Sequence, residues 1–327
     1  MPRAKILYFV SDRAKGLIKL ATVIHGVKSI ADCFHFKYCI NKLLCLALSS
    51  KLRHSKMELE KASQKGDIEA ISRSSEKYAQ IQFNVDLYVE TMGNITGFLH
   101  PYSDGNNCNT SEQAQQNINN ELAKIQQVVD NCNITDKNNL FGKAQNQVTD
   151  AVSVIGLWHD IKCEFVDEMQ IPDKTKLWFE HLFLPKIYWE QAIQRTKHKP
   201  TIIRINKQLE KCKSITENEY IAKEIAALES ERLRDFAVAL CRKFQRASSQ
   251  VEGRNGYLSL INHNQRGFDQ NRLNVMTVVH NFDTRGIDRK TPAERLLGNK
   301  IEFENLFEFI VKNIGDLPRP RKSKLTG

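Results

Sequence analysis

Ile6-Leu7-Tyr8-Phe9-Val10-Ser11-Asp12-Arg13-Ala14-Lys15 sets the architecture at this end of the chain. Its first five residues are an unbroken apolar run with β-branched and aromatic members, as in a strand buried on both faces. A helix follows, with Leu17, Ile18, Leu20 and Ala21 on its apolar side, and Gly26 ends it. Val27 to Ala31 reads as a second short strand. Strand, helix and strand make a βαβ unit, which favours a parallel pair. Ligands of such sheets gather beyond the carboxyl ends of the strands, and Asp12 stands there. Two readings of Asp12 stay open. It caps the helix that follows it directly, or its hard carboxylate oxygens hold a divalent cation.

Moving outward, residues 37–245 read almost entirely as helix. Leu43, Leu44, Ala47, Leu48 and Leu52 repeat at helical spacing, and Ile81, Val85, Tyr88, Val89 and Met92 continue the pattern. Met57 to Glu69 is charged and reads as a solvated helix and turn. The pattern breaks between Gly97 and Ser111, where His100-Pro101-Tyr102 and Asp104-Gly105-Asn106-Asn107 predict a loop. Ser111 starts another helix, and Val148 to Phe165, Leu177 to Thr196 and Ile215 to Phe244 carry more. In residues 246–327, a helix carries Leu273, Met276, Val279 and His280. Thr291-Pro292-Ala293-Glu294 is a capping box with Pro at the first helical position. Ile301 to Ile314 reads as the last helix. A basic tail, Pro318 to Lys324, follows. The expected organisation is therefore an α/β core piece at 1–36, a helical insertion at 37–245 and a second core piece at 246–327, predominantly α overall.

Composition narrows the partner. The chain has 327 residues, with Lys+Arg 48 against Asp+Glu 38 and a net charge of +10. That balance suits a polyanion, nucleic acid first, although a basic surface without that role gives the same numbers. The eight cysteines form no C-x-x-C pair, which fits neither a zinc ribbon nor a disulfide framework. Unpaired thiols suit the cytoplasm. The apolar stretches are too short for a signal peptide or a membrane span.

A second segment carries chemistry. Ala247-Ser248-Ser249-Gln250-Val251-Glu252-Gly253-Arg254-Asn255-Gly256 places Glu252 among small and polar residues. Asn255-Gly256 is a hairpin signal, but its flanks lack period-2 alternation. As a helix, the segment puts Ser249, Glu252, Asn255, Gly256 and Ser259 on one polar face of little bulk. Gly253 and Gly256 each cost roughly 1 kcal/mol there, a cost that close approach by another backbone explains. Asp32-Cys33-Phe34-His35 has two readings, a metal pair on one helical face or a structural junction. Trp158, Trp178 and Trp189 are core residues in one reading and base-stacking platforms in the other.

These pieces, in this order, resemble the DDE transposases of bacterial insertion sequences, in which a helical insertion interrupts an RNase H-like core. The likeness extends over essentially the whole chain. SDRAKGLIKLA resembles the segment of the second catalytic Asp, which maps onto Asp12. Asp32-Cys33-Phe34-His35 matches a [C/D]-x-x-H motif after the next strand. RASSQVEGRNGYLSL resembles the helix of the catalytic Glu, which maps onto Glu252. LHPYSDG and LPKIYWEQAIQRTK also look like pieces of this family, without assigned chemistry.

The resemblance implies phosphodiester cleavage and strand transfer by two Mg²⁺ or Mn²⁺ ions held by Asp12 and Glu252. It implies DNA contacts from Arg13, Lys15, Ser249, Arg254, Asn255 and Arg266. The implied partners are transposon ends, target DNA and further copies of the same chain, in the bacterial cytoplasm. The first Asp of such a site precedes the second on an earlier strand, and residues 1–11 hold no Asp or Glu. The expectation is therefore a front-truncated transposase that is inactive by itself. The rival expectation is a non-catalytic helical DNA- or protein-binding protein.

Overall fold

The apolar run at the amino end forms β1, Tyr8–Ser11, and pairs in parallel with β2, Lys28–Ala31. The register sets Tyr8 opposite Lys28 and Ser11 opposite Ala31. The computed structural model describes residues 6–11, 15–218, 227–245, 270–286 and 289–297. Helix α1, Lys15–Lys19, passes into a wider π-type turn, Leu20–Ile24. Gly26 closes it at φ +63°, a left-handed conformation that only glycine adopts without cost. The His25 N–H then reaches the Leu20 carbonyl at 3.1 Å, and the Val27 N–H reaches Ala21 at 2.9 Å. The βαβ expectation holds.

Four long helices follow: α2 Cys33–Lys65, α3 Ile68–Phe98, α4 Ser111–Asn131 and α5 Leu140–Asp167. Each packs on its sequence neighbour, and α2 also packs on α5, closing a ring. That is the up-down-up-down arrangement that short connections impose. The caps are local. Asp32 accepts from the Phe34 N–H and Asp67 from the Ala70 N–H, while Thr110 and Gln113 form a reciprocal capping box. Between α2 and α3 the chain reverses at Gly66, φ +70°. Helix α2 runs through residues 36 and 37 without a break, so the strands and the helices share one unit, Tyr8–Ser248.

The α2–α3 hairpin changes character along its length. Leu48, Leu52, Ser55, Leu59 and Ala62 follow alternating steps of four and three, as do Ile71, Ser74, Tyr78, Ile81, Val85 and Tyr88. Such a narrow seam is that of a two-stranded coiled coil. Asn131, the last residue of α4, hydrogen-bonds Asn84 at 3.1 Å. None of the α3 residues before Asn84 is buried. The distal hairpin therefore rests on its own seam and on ion pairs such as Lys77–Glu58 at 2.6 Å.

Two short strands, β3 Tyr102–Ser103 and β4 Asn107–Cys108, make a small antiparallel hairpin where a loop was expected. Helix α6, Asp173–Trp178, leads through a π-type turn, Phe179–Phe183, into α7, Leu184–Gln194. Pro185 has no N–H to give to the preceding turn, which is where the helix widens. Helices α8, Lys199–Asn218, and α9, Ala227–Arg242, complete this unit, with α7 packed on both. The helix expected over Ile215 to Phe244 is corrected in part. Helix α8 starts sixteen residues earlier, at Lys199. There Ile205, Leu209, Cys212 and Thr216 turn inward at three- and four-residue steps.

The second compact unit comprises Met1–Leu7 and Ser249–Gly327. Its described helices are α10, Gln270–Phe282, and α11, Pro292–Leu297. The expected capping box is present: the Glu294 N–H donates to Thr291 Oγ1 at 3.1 Å and the Thr291 N–H to Glu294 Oε2 at 2.8 Å. Arg285 binds the same carboxylate at 3.2 Å. The helix expected over Ile301 to Ile314 and the basic tail lie outside the described residues. The protein is predominantly helical. Among the described residues no helix is long and apolar enough to cross a membrane.

Candidate functional site

The carboxyl edge of the β1–β2 pair is the place where the sequence sets its candidate ligands. Ser11 ends β1 and is buried, and its carbonyl accepts from the Asp32 N–H at 2.9 Å. The edge is thus zipped one step past β2. Asp32 is only 1% exposed, and its Oδ1 accepts from the Phe34 N–H at 2.7 Å. This carboxylate caps the start of α2, a structural role at the junction of the strands and the helices. His35 lies in the first turn, half-buried, with its ring edge-on to Phe34 at 5.6 Å. Lys15 opens α1 and is exposed. Asp12, Arg13, Ser249, Glu252, Arg254, Asn255 and Arg266 lie outside the described residues. Among the described residues no three His, Cys, Asp or Glu side chains gather as a metal site.

One tie spans the sequence at this edge. Tyr8, in the middle of the apolar run, donates its hydroxyl proton to the Lys243 carbonyl at 2.6 Å. The Tyr8 hydroxyl oxygen in turn accepts from the Gln245 N–H at 2.7 Å. Burial raises the Tyr8 hydroxyl above its ordinary value, and the Gln245 hydrogen bond opposes that shift. The strand that precedes Asp12 is thereby fixed to the residues that precede the Glu252 segment. Tyr8→Phe removes one donor and one acceptor at a cost of about 1–2 kcal/mol. The amide of Gln245 should then exchange with solvent markedly faster, as read by hydrogen exchange. Unchanged protection would show that the tie is incidental.

LHPYSDG and LPKIYWEQAIQRTK, which the sequence leaves without a role, meet in one buried cluster. His100 Nδ1 and the Tyr188 hydroxyl are hydrogen-bonded at 2.6 Å, both side chains buried. The Trp189 indole donates to the Gly105 carbonyl at 2.7 Å, and the Gly105 N–H donates to Gln208 Oε1 at 2.6 Å. Lys211 pairs with Asp104. Gly105 sits at φ +82°, and a Cβ there would stand 3.0 Å from the Lys211 Cβ. The glycine of the Asp-Gly turn is thus required by both backbone and space. Tyr102 meets Trp158 edge-on at 5.6 Å and Tyr188 at 5.5 Å. Trp158, Trp178 and Trp189 are 0%, 6% and 3% exposed, so they are core and none offers a face for base stacking.

The polar groups of this cluster are held inert. Lys162 continues the inward face of α5 and is 4% exposed; Glu180 meets its ammonium at 2.5 Å. Burial is the main force lowering the pKa of His159, with the Lys162 cation second. Hydrogen bonds to the Asn109 and Pro101 carbonyls pull it the other way. Burial drives the Tyr102 hydroxyl well above its ordinary value and pushes the Cys241 and Cys212 thiols up to about 12. A thiol is a nucleophile only as the thiolate, and burial disfavours that form at both cysteines. The cluster locks the 100–109 hairpin to α5, α7 and α8.

The architecture therefore defines a predominantly helical protein in which a parallel βαβ unit joins a four-helix ring. Residues 179–326, less than half of the chain, match DUF6399, a family of unknown function. No curated protein and no solved structure matches the chain. The matched stretch starts at Phe179 and takes in α7, α8, α9 and the Glu252 segment.

Proposed function

We propose that this chain is part of a DDE-type transposase, with an RNase H-like core of which the βαβ unit and the Glu252 segment are pieces. Asp12 and Glu252 are the proposed carboxylate ligands of catalytic Mg²⁺ or Mn²⁺, and DNA is the proposed substrate. The observation that carries the reading is the Tyr8 tie. It joins the strand before Asp12 to residues 243 and 245, across 235 residues of sequence, as an interrupted core requires. The parallel register adds support, since it aims the carboxyl end of β1 at the kind of edge where α/β sheets bind ligands. Asp12 follows that edge directly in sequence.

In this reading Asp12 and Glu252 would hold the ions, which would supply activation of a water or 3′-hydroxyl for attack on a phosphodiester and charge stabilisation of the leaving oxygen. The assay measures DNA cleavage by the protein as its gene encodes it. Cleavage that needs Mg²⁺ or Mn²⁺ and stops with a chelator is the expected result. Its absence overturns the catalytic reading in favour of a helical DNA- or protein-binding protein.

A further inference from the structure

A dense run of positive charge begins at the end of the LPKIYWEQAIQRTK motif and lies apart from the proposed carboxylate ligands in sequence. Residues 195–213 hold Arg195, Lys197, Lys199, Arg204, Lys207, Lys211 and Lys213 against the single acid Glu210. Seven minus one leaves +6, more than half of the whole-chain +10. The segment is the α7–α8 connection and the outer face of α8. Its inner face is apolar: Ile205, Leu209 and Cys212 are buried. On the outer face Lys199, Ile203, Lys207 and Lys211 follow one another at four-residue steps, and residues at that spacing stand one above the other.

Internal acids answer little of this charge. Glu210 pairs with Lys213 at 3.1 Å, and Asp104 with Lys211. The Arg204 guanidinium lies against Gly93 of α3, where a Cβ would collide with it. Lys197, Lys199 and Lys207 are exposed and make no ion pair among the described residues. Lys197 and Lys199 also stand at the amino end of a 20-residue helix with no acid in its first turn. There they add to the positive end of the helix dipole instead of offsetting it. Folding alone gains nothing from such an arrangement.

We infer that the α7–α8 connection and the outer face of α8 are a docking surface for the phosphate backbone of duplex DNA. From Lys199 to Lys211 the row is about 18 Å long at the helical rise. A duplex carries one negative charge per roughly 1.7 Å of axis, so the row faces about ten phosphates. The side chains are long and exposed, and among these lysines only Ile203 interrupts the row. The contact is therefore to backbone and not to base edges. It rests on the proposed handling of DNA by this protein but not on the carboxylates.

The test uses the full chain and a mixed-sequence DNA duplex, with binding followed by fluorescence anisotropy between roughly 50 and 200 mM salt. Lys197→Ala/Lys199→Ala/Lys207→Ala removes three exposed charges that make no ion pair among the described residues. Its expected effects are a Kd at least ~10-fold higher at 100 mM salt and a log–log salt slope shallower by about 2.7, since each phosphate contact contributes about 0.9. A second triple variant, Lys61→Ala/Lys65→Ala/Arg73→Ala on the distal α2–α3 hairpin, removes the same charge and should bind like the parent. Equal losses in both variants would assign the effect to net charge and overturn the surface. A parent that binds duplex with no change in the α8 variant also overturns it, while leaving the transposase reading standing. A parent that ignores duplex, or prefers phosphatidylserine vesicles or a polyglutamate peptide, removes DNA as the partner and takes the transposase reading with it.

Discussion

Trp158→Ala is expected to lower the stability of the protein by about 3–5 kcal/mol, the usual cost of deleting a buried tryptophan. Trp158 is fully buried, and four rings surround it. Tyr102 and His159 lie at 5.6 and 5.2 Å, Phe244 at 5.9 Å and Tyr188 at 6.2 Å. They come from the 100–109 hairpin, α5, α7 and the residue run after α9. Those segments are far apart in sequence, so they cannot collapse into the hole as one element. A cavity that cannot close costs most. Trp158→Phe is a sharper test of the same packing. The indole N–H of Trp158 finds no acceptor among the described residues, and an unsatisfied buried donor itself costs about 1–3 kcal/mol. Phenylalanine keeps an aromatic face and removes that donor, so its net cost should be well below that of alanine. Denaturant midpoints of the two variants decide. Equal, small losses would mean that the cluster is peripheral to stability.

The same cluster shows which parts of the structure were legible in the sequence. The βαβ unit was legible, because an apolar run, a helix and a glycine stop are local signals that the structure keeps within a residue or two. The long helices and the Thr291 capping box were legible for the same reason. The meeting of His100 with Tyr188, or of Gly105 with Trp189, was not. Periodicity says which face of a segment turns inward, but not which distant face it meets. The start of α8 is less legible, because charged residues outnumber the apolar Ile205, Leu209 and Cys212, whose spacing alone carries the signal. The two π-type turns were also missed. Pro185 marks one of them; the other, at Leu20–Ile24, has no equivalent marker. At the candidate site, the sequence named Asp32 with two roles in view. The structure shows the capping role, with an N–H group 2.7 Å from its carboxylate.

The other large expected effect falls on Asp12 and Glu252. In the protein as its gene encodes it, Asp12→Ala or Glu252→Ala should each reduce the rate of DNA cleavage by at least ~10²-fold, or about 2.7 kcal/mol of barrier. The reason is charge. Two divalent cations held a few ångströms apart repel one another, and carboxylates from different segments must offset that repulsion together. Alanine at position 12 removes a ligand in the metal reading and a helix cap in the rival reading, so it cannot separate them. Asp12→Asn can. Asparagine caps a helix about as well as aspartate, so the fold is kept, but its neutral amide is a poor ligand for Mg²⁺. The metal reading requires Asp12→Asn to melt like the parent and to lose cleavage as fully as Asp12→Ala. The capping reading requires it to behave like the parent in both respects. A cleaving Asp12→Asn protein would therefore remove Asp12 from the site, whatever Glu252 does.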